Sequence, residues 1–226
     1  MPFIRPVNQQ KRVDFCNQLL ASEDDFDNVI FTDESSVQIG LNNRIMMAKI
    51  IRDQNGKIIS KDVPSIEKLK HPLKVHVWGG ISRHGPTQIR VFIGNMDAKF
   101  YTEEILQNTL LPAIHHLYPA PLSHRLWADN DPKHCSKLAK NFLEENNINW
   151  FRTPAESPDL NMIENVWAAL KGYVGKEAPR TQDSLCATIL RFWHMHLTVE
   201  QCQRYVDHIH KVIPKVIEAN GGFSGF

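Results

Sequence analysis

Long apolar runs are missing from this chain. None approaches the ~18 consecutive residues of a membrane span, and the opening MPFIRPVNQQKR lacks the apolar core of a secretion signal. Paired cysteines are missing too: Cys16, Cys135, Cys186 and Cys202 are scattered with no CxxC, which speaks against a zinc ribbon and for a reducing compartment. Net charge is only +1, so a uniformly basic coat for nucleic acid is excluded, while a local basic groove is not. Gly79-Gly80 lacks the lysine of a P-loop, no Rossmann fingerprint follows a strand, and there is no GxSxG elbow. No internal repeat or low-complexity tract appears. What remains is a chain of 226 residues, 42% hydrophobic, with material for one generous domain or one domain with an added arm. It reads as soluble and intracellular, with no membrane partner.

Residues 8–22 read as a short amphipathic helix with Val13, Cys16, Leu19 and Leu20 on its apolar side, made locally basic by Arg5, Lys11 and Arg12. Residues 1–22 are therefore either a solvated helix packed on the domain edge or an arm that touches a DNA backbone, and residues 23–226 are the domain. Val29-Ile30-Phe31-Thr32 is a buried strand with Asp33-Glu34-Ser35 at its end. Gln54-Asn55-Gly56-Lys57 signals a tight turn between two isoleucine pairs, and Lys68, Lys70 and Lys74 make a basic loop. Residues 75–78 and 88–93 form an antiparallel hairpin. A helix over 97–116, a strand over 125–128, a helix over 134–146 and a strand over 148–151 follow, with two or three helices after Pro179. A meander followed by βα units gives a mixed sheet with helices on its faces. In it the first and fourth strands can lie side by side and parallel, so Asp33 and Asp129 emerge at one edge.

The stretch from Leu126 onward carries the chemistry. Leu126-Trp127-Ala128 stops abruptly at Asp129-Asn130-Asp131-Pro132, where a buried strand would surface. Ser157-Pro158 opens a helix, with Ser157 as the cap, whose apolar face is Leu160, Ile163, Val166, Trp167, Leu170 and Val174. Glu164 lies on the flank of that face, beside Lys171. Asp33, Asp129 and Glu164 can thus converge, and three carboxylates without a cysteine–histidine set favour Mg²⁺ or Mn²⁺ over zinc. Two such ions about 3.5–4 Å apart suit an in-line phosphoryl displacement. Each acid alone reads more simply as a turn or a cap; the pattern rests on all three. Asp131, before Pro132, reads as a turn-former, and Glu34 should point away from Asp33 if the strand continues. His134 either serves a phosphate or carboxylate or caps the next helix. His115-His116 and the His194/His196 pair lack partner acids and read as surface or core.

FTDES, HVWGGIS, DNDPKH and SPDLNMIENVWAALK together resemble the catalytic domain of mariner-type DNA transposases, in the branch with 34 residues between the second and third acids. Here 34 residues separate Asp129 from Glu164. The resemblance implies an α/β, RNase H-like fold: a mixed five-stranded sheet with helices on both faces. It implies an acid triad at Asp33, Asp129 and Glu164, binding two Mg²⁺ or Mn²⁺ ions. It also implies a polynucleotidyl transferase and endonuclease that cuts inverted-repeat ends and joins the freed 3′-hydroxyl to a TA target. DNA is then the partner, as transposon ends and as target, in the nucleus, with a homodimer left open. Two departures stand out. Met162 replaces the proline usual in SPDLNPIEN, which should loosen the turn before Glu164. No paired-like helix-turn-helix region precedes the motifs, so the chain reads as a catalytic domain alone. The rival reading is a former transposase kept as a DNA- or protein-binding module without catalysis.

Overall fold

Val29, Phe31 and Val37 belong to one apolar layer and Ile30 to the other, and a strand buried on both faces belongs inside a sheet. The computed structural model describes residues 4–39, 49–53, 57–62, 73–120 and 122–226. It places this segment as one continuous strand, β1 (Val29–Gln38), so Asp33 lies within the strand and not at its end. β2 (Lys49–Arg52) and β3 (Ile58–Asp62) pair antiparallel as the expected hairpin. Residues 54–56 of its turn, and Lys68 and Lys70 of the basic loop, lie outside the described residues. β4 (Lys74–Ser82) pairs antiparallel with β1 from Phe31↔Ile81 to Gln38↔Lys74. Along the outer edge of β4 run two short pieces, β5 (Gly85–Pro86) and β6 (Arg90–Phe92). On the other side β7 (Arg125–Ala128) pairs parallel with β1, and β8 (Asn149–Arg152) pairs parallel with β7. The mixed sheet has six strands in five positions, because β5 and β6 share one edge.

Helices cover both faces. The chain opens with α1 (Pro6–Ala21). Over the face of Ile30, Leu126 and Ala128 lies one helical run, residues 98–117. It is α-helical in α2 (Ala98–Phe100) and α3 (Leu111–Leu117) and π-helical over Tyr101–Leu110, with α4 (Lys137–Glu145) beside it. Over the face of Phe31 and Trp127 lie α5 (Ile163–Glu177), α6 (Gln182–Met195), α7 (Val199–Asp207) and α8 (Ile209–Glu218), and α1 packs on α8.

Two expectations about local structure change. Ser157 does not cap a long helix. Its hydroxyl donates to the Ala155 carbonyl, Pro158–Leu160 is a single 3₁₀ turn, and α5 begins only at Ile163. Asn161 breaks the helical path with φ −105° and ψ 105°. Arg12 is not a basic surface group. It is wholly buried, its guanidinium meets both carboxylate oxygens of Asp159 at 2.8 Å, and it donates further to the carbonyls of Glu156, Gly221 and Gly222. Every donor on that guanidinium face is used, so the charge is tolerable inside the protein. α1 is thereby bolted to the turn before α5 and to the chain's last bend.

Gly79, opposite Asp33 in the β1–β4 ladder, serves packing. A Cβ there would lie 2.6 Å from Trp193 and 3.3 Å from Trp167. Those two indoles stack with centroids 5.6 Å apart, and the Trp193 Nε1–H is fixed by the Thr87 carbonyl at 2.7 Å. The missing side chain lets α5 and α6 lie against the strand beside Asp33.

Two stability measurements check these contacts. Gly79→Ala should lower the urea-unfolding free energy by about 1–3 kcal/mol, the usual cost of forcing one carbon into a filled core. Arg12→Met should cost about 3–5 kcal/mol, because it strands the Asp159 carboxylate. Arg12→Met with Asp159→Leu should recover a good part of that loss. A double variant no better than Arg12→Met would show that the carbonyl contacts, not the ion pair, hold α1.

Candidate active site

The parallel ladder between β1 and β7 ends at the pair Phe31↔Trp127, whose rings lie 5.0 Å apart. Side chains alternate along a strand, so two residues further on Asp33 follows Phe31 onto the same face. Asp129 stands two residues beyond Trp127, just past the end of β7. This face is the one α5 covers, and Glu164 sits in the first turn of α5, where the positive end of the helix favours a negative charge. The three carboxylates named from the sequence therefore come from two neighbouring parallel strands and the helix above them. Several links hold the strand ends. The Thr32 hydroxyl donates to the Trp127 carbonyl at 3.2 Å, the Trp150 indole to Ala128 at 3.2 Å, and the Asn130 amide to Thr153 at 2.6 Å.

Glu34 points the other way, as expected of a continuing strand. It meets Lys133 Nζ at 3.2 Å and His134 Nε2 at 3.1 Å. Through its other nitrogen, His134 Nδ1, that imidazole reaches Asp129 at 2.7 Å, and its ring packs on Tyr101 with centroids 4.3 Å apart. His134 thus bridges two carboxylates and does not cap α4, a role taken by Ser136. Asp131 behaves as a turn-former: it accepts from the Lys133 backbone N–H at 3.0 Å and pairs with Lys133 Nζ at 2.9 Å. His115, His116, His194 and His196 are all exposed.

The charges are unequal in comfort. Loss of solvation, then repulsion from Glu34 and Glu164 and a smaller push from Asp129, raise Asp33 to about 8, against one opposing backbone hydrogen bond from Glu34. Burial also raises Glu164, partly offset by Lys171. Asp129 differs: burial disfavours its charge, but hydrogen bonds from His134 and the Asp131 N–H outweigh this and hold it below the usual carboxylate range. Burial likewise works against protonating His134, yet the hydrogen bonds to Asp129 and Glu34 lift it to about 9. Lys133 and His134 pair with Glu34 and Asp129 on one side of the cluster, while Lys171 only partly offsets burial at Glu164 and, among the described residues, no cation forms an ion pair with Asp33.

Among the described residues, no three His, Cys, Asp or Glu side chains are gathered tightly enough to hold a metal ion. Asp129 is drawn to His134, and like charges repel. In kind, the donors still fit a hard divalent cation. All are carboxylate oxygens, and burial, with repulsion from Glu34 and Glu164 behind it, raises the proton affinity of Asp33 among them. The sequence pointed to the acids. It gave no sign of the Lys133–Glu34 pair, of Tyr101 under His134, or of Asn161, whose amide reaches the Thr32 carbonyl. Each depends on parts of the chain that meet only in the fold.

A family model described as DDE superfamily endonuclease matches residues 28–186. Curated relatives include the transposable element Tcb1 transposase of Caenorhabditis briggsae, 31% identical over 177 residues that make up 75% of this chain and 60% of the relative. The transposable element Tc1 transposase of Caenorhabditis elegans is 26% identical over 147 residues, 65% of this chain and 52% of that one. Among solved structures, the catalytic domain of Mos1 mariner transposase superposes with a TM-score of 0.74 at 15% identity, over 98% of each chain. The Mos1 mariner paired end complex with Mn gives 0.80 at 15% identity, over 97% of this chain and 64% of that one. At such identity these two establish the RNase H-like fold. The chain spans 60% of the Tcb1 relative and 62% of its Tcb2 counterpart. With the family match and the curated relatives in agreement with the fold, the chain belongs to the DDE superfamily endonuclease family, as a transposase catalytic domain of the Tc1/mariner type.

Proposed function

We propose that this chain is the metal-dependent polynucleotidyl transferase and endonuclease domain of a cut-and-paste DNA transposase. Residues 1–22 are its N-terminal arm. Its substrates are transposon ends and, after cleavage, TA target DNA, in the nucleus, and two copies act as a homodimer on a pair of ends. Asp33, Asp129 and Glu164 are the residues that would hold two Mg²⁺ or Mn²⁺ ions. The observation that carries this reading is geometric: two acids stand two residues beyond the last pair of one parallel ladder, and the third lies in the first turn of the helix above them. The Mos1 neighbours include complexes with a transposon end and structures with Mg or Mn, which supports DNA and a divalent ion here by analogy. When bound, such ions activate an attacking oxygen and stabilise the leaving one.

The chain's own residues do the rest. Asp33 and Glu164 present carboxylate oxygens from a rigid strand and a rigid helix, so little freedom is lost on loading. His134 steadies Asp129 against the β7 end and, with Lys133, pairs with Glu34 on the far side of β1. The apolar floor under Asp33, built by Phe31, Trp127, Trp167 and Trp193, excludes water from below.

Thermal unfolding with added metal tests the loading. At a Mn²⁺ concentration tenfold above its Kd, a ligand bound only to the native state adds about 1.4 kcal/mol, or ~3–6 °C for a chain of this size. Asp33→Asn should abolish the rise. A Tm indifferent to millimolar Mn²⁺ would instead favour a retained binding module without catalysis. A second measurement separates the acids of DNDPKH on a pre-cut DNA end. Asp129→Asn should eliminate Mn²⁺-dependent nicking and strand transfer, while Asp131→Asn keeps substantial activity, since an amide oxygen still accepts from the Lys133 N–H. The reverse result would mean that the second acid is misassigned.

A further inference from the structure

Asn161 lies between the 3₁₀ turn and α5, in extended backbone, with 6% of its surface exposed. Its side-chain Nδ2 donates to the Thr32 carbonyl at 3.0 Å, across 129 residues of sequence. A carbonyl can only accept, so the group facing it must be the amide NH₂ and the orientation is fixed by chemistry. The main-chain carbonyl of Asn161 accepts the Glu164 N–H at 3.1 Å. The Thr32 carbonyl belongs to the peptide group that leads into Asp33. One residue therefore holds the peptide before the first acid with its side chain and the helical turn bearing the third with its backbone. Its Oδ1 is buried and has no partner among the described residues, so the amide is not placed there to satisfy both of its own ends.

The alternatives are weaker. A cap for α5 would be expected to accept from its first N–H groups, and the Asn161 side chain instead reaches away from the helix to β1. A purely packing role would be served by an apolar residue, like its neighbours Leu160 and Met162, both fully buried. A buried amide that spans strand and helix is costly unless the distance it fixes matters.

We propose that Asn161 is a positioning residue, a strut that sets the separation of Asp33 from Glu164 and so tunes the affinity of the acid site for a divalent cation. The inference rests on the metal-binding reading above. Outer partners that orient ligating groups typically change metal affinity by about 10–100-fold when removed.

The test is a Mn²⁺ titration of the 226-residue chain, with free Mn²⁺ read by electron paramagnetic resonance, alongside metal-free thermal unfolding. Asn161→Ala and the isosteric Asn161→Asp, which cannot donate when ionised, should each raise the Mn²⁺ Kd by roughly tenfold or more. Leu143→Ala, a core deletion on α4, which lies on the other face of the sheet from α5, should lower Tm and leave the Kd within about twofold. If Asn161→Ala does not fold, Asn161→Asp, which keeps the shape, decides the matter. Asn161 variants that lose Tm but keep the parental Kd would overturn the strut. So would a Leu143→Ala chain whose Kd rises as much as theirs. A parent chain that takes up no Mn²⁺, or takes it up equally well as Asp33→Asn, would bring down the metal-binding reading itself and the strut with it.

Discussion

The ion pair between Arg12 and Asp159 is the contact at which the two ends of the chain and its candidate active site are held together. Both side chains are fully buried. Two charges taken out of water impose a desolvation cost that attraction alone seldom returns unless the remaining donors and acceptors are met. Here they are met: Arg12 also serves the carbonyls of Glu156, Gly221 and Gly222, and Asp159 also accepts from the Ser224 backbone N–H at 3.0 Å. The result is geometric definition. α1, the SPDL turn and the C-terminal bend cannot shift separately, and the turn that is fixed in this way leads directly to Asn161 and Glu164.

Around the acids the physical chemistry runs in the opposite direction. Carboxylates are brought together at a half-buried sheet edge, and Asp33 carries the consequence, of burial first and of repulsion second, in its raised proton affinity. The fold contains this cost by distributing it. Lys133 and His134 pair with Glu34 and Asp129, Asp131 is spent on its own turn, and Lys171 partly offsets Glu164, so among the described residues Asp33 is the member of the cluster with no ion-pair partner. Strain of this kind is expected where function, not stability, sets the arrangement. The supporting apolar layer is correspondingly rigid, with stacked indoles pressed onto Gly79 directly opposite Asp33.

Met162 shows how a change in a motif can be absorbed. Its φ of −64° is the value a proline would impose, and Asn161 before it is extended, as a residue preceding proline must be. The backbone of the turn is thus preserved without the ring. Full burial of the Met162 side chain and the Asn161–Thr32 hydrogen bond restrain the turn in its place.

The apolar run that opens β1, the abrupt stop of β7 before Asp129 and the helical stripe from Leu160 to Val174 were legible in the sequence because each is a local pattern tied to burial. From them came the mixed sheet, its layers and the choice of two strand acids and one helix acid as candidates. Local pattern misplaced the start of α5, because Ser-Pro is a helix-opening signal that a 3₁₀ turn satisfies equally well. It also misread Arg12, since an arginine on a helix looks the same in sequence whether it faces water or a buried carboxylate 147 residues away. The sequence by itself determined which residues can form strands, helices and a carboxylate cluster. Only the tertiary structure decided which of the described charges pair with one another. Pairing of charges depends on distances between distant segments, and those are fixed by packing and not by any repeat along the chain.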